Sequence, residues 1–125
     1  ELPAIKVYED DQVLAFMDIM PQAEGHALVI PKTPAVTLLD LPPEDAAYTI
    51  QIVQKVAQAI ETALSAKGIV LMQLSGASAG QTVPHVHFHL IPSSVHELSR
   101  HAAQMGDQDK IKAQAEKIKA VLAEL

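Results

Sequence analysis

Between Pro84 and Pro92 the chain alternates strictly, His85-Val86-His87-Phe88-His89-Leu90-Ile91, and this run constrains the fold more than any other. A period of two is the signature of extended chain with one face buried. Residues two apart then project to the same side, about 6–7 Å from each other. Val86, Phe88 and Leu90 face an apolar layer, while His85, His87 and His89 share the opposite face. The pattern predicts a strand over residues 85–91, and a strand needs neighbours.

The rest of the chain supplies them. Val7-Tyr8-Glu9 and Val13-Leu14-Ala15-Phe16-Met17 read as two short strands joined by a turn at Asp10-Asp11-Gln12. His26-Ala27-Leu28-Val29-Ile30 is a third, closed by Pro31, and the aliphatic run Ile69-Val70-Leu71-Met72 is a buried fourth. Pro42-Pro43-Glu44-Asp45 opens a long helix, with proline and carboxylates where free N–H groups and the helix dipole favour them. Ile50, Val53, Ala57, Ile60 and Leu64 recur along it at steps of three and four, and Gly68 is placed to end it in the left-handed conformation. Ile111, Ala115, Ile118, Leu122 and Leu125 mark a C-terminal helix over about 107–124, expected to pack along a sheet edge. The expected fold is α+β, a mainly antiparallel sheet with one long helix and a C-terminal helix. The stretch between Ser93 and Gly106 carries no clear pattern.

Composition sets the outer limits. With 125 residues, 49% of them apolar, there is room for one core, so a single domain over 1–125 is expected. The absence of cysteine excludes disulfides and thiolate metal sites and is compatible with a reducing, cytoplasmic setting. No apolar run approaches the roughly 20 residues that span a bilayer, so no membrane partner is expected. A formal net charge of −6 argues against a nucleic-acid surface, but not against one nucleotide held by backbone N–H groups and a few histidines. The first residue is Glu1 rather than Met, and residues are expected upstream of it.

Three readings of the histidine cluster compete. The imidazoles are hydrogen-bonded structural groups; or they hold zinc or iron, with His26 as a fourth ligand; or the central one is a nucleophile whose neighbours set its tautomer and handle protons. No carboxylate or cysteine adjoins the three in sequence, which counts against a metal and leaves no cofactor expected. The preceding loop, Gly76-Ala77-Ser78-Ala79-Gly80-Gln81-Thr82-Val83, is small and rich in free N–H groups. It suits close approach to a phosphate, and only the third reading has a use for that.

Gly80-Gln81-Thr82-Val83-Pro84-His85-Val86-His87-Phe88-His89-Leu90-Ile91-Pro92 resembles the His-x-His-x-His motif of the histidine triad (HIT) family. Upstream, Tyr8-Glu9-Asp10-Asp11, the run Leu14 to Ala23, and Gly25 to Lys32 resemble that family's nucleoside-binding segments in the same order, so the likeness covers about residues 5–92.

The resemblance implies a purine-nucleotide hydrolase or nucleotidyl transferase acting at the α-phosphate. His87 would form a covalent nucleotidyl-histidine, His85 would orient it through its backbone carbonyl, and His89 would meet the phosphoryl oxygens or leaving group. His26 would support the constellation. Gly80, Gln81, Thr82 and the Val83 N–H would cradle the phosphate, Asp18 would take the ribose hydroxyls, and Phe16, Ile19 and Leu28 would wall the base. A triad ending in His rather than Gln points to hydrolases, and Asp18 with Pro21-Gln22-Ala23 resembles the phosphoramidase branch more than the dinucleoside polyphosphate branch. A homodimer paired through the long helix, on the face of Ile50, Val53, Ile60 and Leu64, is also implied. Two positions depart from the family pattern: Leu74-Ser75 where Asn is common, and Ser93 where Arg is common. The rival readings are a nucleotide-binding regulatory protein with little turnover and, third, a His-ligated metal protein.

Overall fold

A computed structural model describes residues 4–98 and 105–125. Five strands, β1 (Lys6–Glu9), β2 (Val13–Met17), β3 (Ala27–Pro31), β4 (Val70–Gln73) and β5 (Phe88–Ile91), form one sheet in the order β1-β2-β3-β5-β4. Every neighbouring pair is antiparallel. Two helices, α1 (Pro43–Leu64) and α2 (Gln108–Leu122), complete the α+β fold expected from the sequence. Neither helix is long and apolar enough to cross a membrane. Part of the unpatterned stretch after Ser93, residues 99–104, lies outside the described residues.

Period-two alternation decides which side of the sheet each element occupies. Val13, Ala15, Met17, Ala27, Val29, Phe88 and Leu90 are buried with the inner faces of α1 (Ile52, Val53, Val56, Ala59 and Ile60) and α2 (Ile111, Ala115 and Ile118). The alternate residues point away from the helices. Phe16 stands opposite Leu28, Leu28 opposite His89 and His89 opposite Met72, a row that crosses four strands on the open face. That row is the floor of the site.

The β1–β2 hairpin is fixed by one carboxylate. Asp10 Oδ1 accepts from the N–H groups of Gln12 and Val13, both at 2.8 Å. Its Oδ2 accepts from the Tyr8 hydroxyl at 2.7 Å and from the Tyr48 hydroxyl on α1. Burial opposes this charge, yet the two phenols and two amides outweigh it and hold the carboxyl at about 2. The turn read from Asp10-Asp11-Gln12 is therefore also a tie between hairpin and helix.

The run Ile69-Val70-Leu71-Met72, expected as a buried strand, forms β4 over Val70–Gln73 at the sheet edge. Leu71 is half exposed there, because only one side of an edge strand is paired and covered. Other boundaries differ as well. The strand expected over 85–91 is paired only from Phe88, and the Val86 N–H turns instead to the Ala35 carbonyl at 2.9 Å. The side-chain alternation survives in the unpaired part, with Val86, Phe88 and Leu90 at 0%, 5% and 1% exposure. The strand expected to start at His26 begins at Ala27 and includes Pro31 as its last residue. Finally, α1 stops at Leu64, and Ser65 rather than Gly68 takes the left-handed conformation, at φ 52°. The Ala66 N–H closes that end on the Glu61 carbonyl at 3.1 Å, so the helix has terminated before Gly68 is reached.

The helix face also departs in part. Val53 and Ile60 are buried in the core, but Ile50 is 43% exposed. With Val53, Ala57, Ile69, Leu90 and the half-exposed Leu71 of edge strand β4, Ile50 lines an apolar hollow of about 270 Å³.

Candidate active site

Each histidine is held by an acceptor or donor that fixes where its hydrogens lie. His85 Nε2 is 2.8 Å from the Pro31 carbonyl, and a carbonyl only accepts, so Nε2 carries the hydrogen. His87 Nδ1 is 2.7 Å from the His85 carbonyl, which places its hydrogen on Nδ1 by the same argument. A neutral His87 therefore keeps a bare lone pair on Nε2.

The second pair is read in the same way. The Gln22 backbone N–H donates to His26 Nδ1 at 2.9 Å, so that nitrogen is bare and the hydrogen of a neutral His26 sits on Nε2. His26 Nε2 lies 3.0 Å from His89 Nδ1 and donates to it. The remaining hydrogen of His89 is then on its Nε2. Burial favours the neutral form of both rings. Burial pushes His26 down, against the pull of Asp18, and burial with the neighbouring His26 and His87 pushes His89 down to about 4. His89 stands edge-on to His87, with ring centroids 4.9 Å apart.

Asp18 caps its own turn. Its Oδ1 accepts from the Met20 N–H at 2.8 Å, and its Oδ2 lies 3.5 Å from His26 Nε2. A carboxylate thus stands beside the histidines in space although none adjoins them in sequence, which removes the sequence argument against a metal. Asp18, His26 and His89 each place one ligand atom within 4.8 Å of the others. Two nitrogens on a tetrahedral zinc, each about 2.0–2.1 Å from it, lie roughly 3.3–3.4 Å apart. His26 Nε2 and His89 Nδ1 stand at the hydrogen-bond distance of 3.0 Å.

A cavity of about 430 Å³ opens over this arrangement. Phe16, Leu28 and Ile30 form its apolar floor, Asp18 and Met20 one side, Thr82 and Val83 the loop side, and His85, His87 and His89 the remaining wall. Nine of the twelve site residues read from the sequence meet here: eight line the cavity, and His26 stands behind His89. Ile19, Gly80 and Gln81 are not in the wall. Gln81 turns into its own loop, accepting from the Gly76 N–H at 2.8 Å and donating to the carbonyls of Val36 and Val83 at 2.6 and 2.9 Å. It sets the loop's shape. Ser75, at the departing Leu74-Ser75 position, gives its hydroxyl to Gln73 Oε1 at 2.8 Å. The sequence reading missed Met20 and Ile30. Ile30 was findable as the next same-face residue after Leu28, whereas nothing in the pattern marked Met20.

A larger hollow of about 710 Å³ lies between the end of α1 and α2. It holds no histidine, and its Glu24 and Lys110 pair with each other at 3.4 Å.

The model of the HIT domain matches residues 1–96. The chain belongs to the HIT family. Among solved HIT structures, a protein from Bartonella henselae described as involved in cell-cycle regulation superimposes with a TM-score of 0.88 at 45% identity. The match covers 96% of this chain and 88% of that one. Among curated relatives, an adenosine 5′-monophosphoramidase of Schizosaccharomyces pombe is 41% identical over 92 residues, which is 74% of this chain and 66% of that protein. An adenylylsulfatase of Arabidopsis thaliana is 39% identical over the same length, 74% of this chain and 47% of its own. The matched part spans about two thirds of the length of the first HIT relatives, 68% and 64%.

Proposed function

We propose that this chain is a nucleotide hydrolase that attacks the α-phosphate of purine nucleotide conjugates through His87. The observation that carries the reading is the His87 Nδ1 bond to the His85 carbonyl, which leaves Nε2 as a bare nucleophile at the cavity wall. Nε2 donates its lone pair to phosphorus, the bond to the leaving group breaks, and the developing imidazolium is stabilised through Nδ1–H and the carbonyl. The Nε2–H of neutral His89 donates a hydrogen bond to the phosphoryl oxygens or the departing group, which takes its proton from solvent. Water then attacks phosphorus, the P–N bond returns its electrons to the ring, and a nucleoside monophosphate leaves. Asp18 receives the ribose hydroxyls, and the aliphatic floor with Phe16 receives the base.

The phosphoramidase branch is favoured by the likeness to the yeast enzyme and by the Asp18 to Ala23 stretch. Steady-state release of AMP from an adenosine 5′-phosphoramidate is expected to exceed release from a dinucleoside polyphosphate. The reverse order would reassign the branch. Turnover of neither, with AMP still bound, would favour the regulatory binding protein.

The hollow at Ile50, Ala57 and Leu71 supports pairing with a second copy, since an apolar patch beside an unpaired edge strand gains from being covered. Sedimentation velocity should show a dimer that Leu71→Glu converts to monomer. A wild-type monomer at micromolar concentration removes the assignment.

A further inference from the structure

The helix α2 lies outside the stretch matched by the HIT model, yet one of its side chains reaches the segment that sets the histidine tautomers. Gln114 is 9% exposed. Its Oε1 accepts from the Gly25 N–H at 3.1 Å, and its Nε2 donates to Glu24 Oε1 at 3.2 Å. Both partners belong to the tight turn before His26, where Gly25 has φ +87° and the His26 N–H closes on the Ala23 carbonyl at 3.1 Å. The start of α2 holds the other end of the same segment, with the Gly106 N–H on the Ile19 carbonyl at 3.1 Å.

From that turn the connection to the site is a chain of single hydrogen bonds. The turn presents the Gln22 N–H to His26 Nδ1, His26 Nε2–H reaches His89 Nδ1, and the hydrogen left on His89 Nε2 belongs to the cavity wall. Each bond permits one direction of donation only while the Gln22 N–H stays in place. Were the turn to relax, His26 could carry its hydrogen on Nδ1, and His89 would then be free to turn a bare Nε2 to the cavity. A ring without that hydrogen cannot donate a hydrogen bond to the phosphoryl oxygens or the departing group.

We infer that Gln114 is a positioning residue that holds the 22–25 turn and thereby fixes His26 and His89 as Nε2–H tautomers. The inference rests on the hydrolase reading for its catalytic consequence but not for its structural one. It also gives α2 a task besides covering the sheet.

The test replaces Gln114 with Met, which fills the same volume without an acceptor. The conservative control exchanges the pair as Gln114→Glu with Glu24→Gln, which keeps both the acceptor for Gly25 and a donor–acceptor contact between the two side chains. Nitrogen chemical shifts of ¹⁵N-histidine report the tautomers directly. Wild type and the exchanged pair Gln114→Glu with Glu24→Gln should show His26 and His89 with bare Nδ1 and protonated Nε2. Gln114→Met should show averaged tautomer shifts at both rings and a kcat at least tenfold lower, with KM changed less than threefold. Wild-type shifts in a folded Gln114→Met protein overturn the inference, as do averaged shifts in wild type. Should Gln114→Met fail to fold, Glu24→Ala removes the other anchor from the exposed side of the turn and is read in the same way. Averaged shifts in the variant with no turnover even in wild type would uphold the positioning role and sink the hydrolase reading alone.

Discussion

Replacing His87 with Ala should lower turnover of an adenosine 5′-phosphoramidate by about 10⁴-fold or more, the scale seen when a covalent nucleophile is removed. Binding should barely change. Phe16, Leu28, Ile30 and Asp18 contact a nucleoside independently of His87, which contributes one ring edge to the wall. AMP affinity measured by calorimetry should stay within about tenfold, or 1.4 kcal/mol. This split between rate and affinity is what separates an enzyme from a nucleotide-binding regulator. A variant that loses binding and rate together would mean that His87 acts through ground-state contact, and the nucleophile would have to be sought elsewhere.

Gly25→Ala should have the largest effect on stability of any change near the site. At φ +87° a Cβ is strained whatever its surroundings, at about 1–2 kcal/mol. Here it would also fall 2.3 Å from Leu64 Cδ1 and 3.1 Å from Pro92 Cγ. Overpacking of this kind adds about 1–3 kcal/mol, the lower end if Leu64 rotates away. Urea unfolding should therefore show a loss of roughly 2–5 kcal/mol, the sum of the two terms. Because the strain falls one residue before His26, kcat should drop in the protein that remains folded. A loss under about 0.5 kcal/mol, the range of ordinary surface substitutions, would show that the turn is not held between the helices as described.

These two positions illustrate what the sequence makes legible. The alternation at 85–91 located the histidines, their common face and their buried partners Val86, Phe88 and Leu90, because a period of two survives even where the ladder does not. The amphipathic pattern found α1 but not its stopping point. The left-handed cap fell on Ser65, since the geometry that closes a helix depends on what its last turn packs against. Ile50 belongs to the helical stripe by spacing, yet it is on the rim of the hollow while Ile52 and Val56 fill the core. Spacing gives a stripe its period but not its rotation about the helix axis.

The site divides along the same line. Residues on strands, Phe16, Leu28 and His89, were placed by periodicity, and the register then set them side by side. Residues on loops were read from the small-residue composition of 76–83 and from resemblance, and there the folded chain assigned its own uses. Gln81 braces the loop through three hydrogen bonds, while Thr82 and Val83 reach the cavity. The approach of Asp18 to His26 and the reach of Gln114 across to Gly25 were invisible. The first depends on how the turn between β2 and β3 folds back and the second joins residues 89 positions apart, and no local pattern encodes either meeting.

The proposed reaction turns on a covalent bond between phosphorus and His87 Nε2. The protein would be mixed briefly with a radiolabelled adenosine 5′-phosphoramidate and quenched in alkaline denaturant, because a phosphohistidine P–N bond is acid-labile. Digestion and mass spectrometry would follow. One AMP unit on the peptide containing His87, absent from His87→Ala and forming no more slowly than turnover, is the expected result. Rapid turnover with no label on any histidine would mean that water attacks the phosphate directly, and the nucleophile assigned here would be wrong.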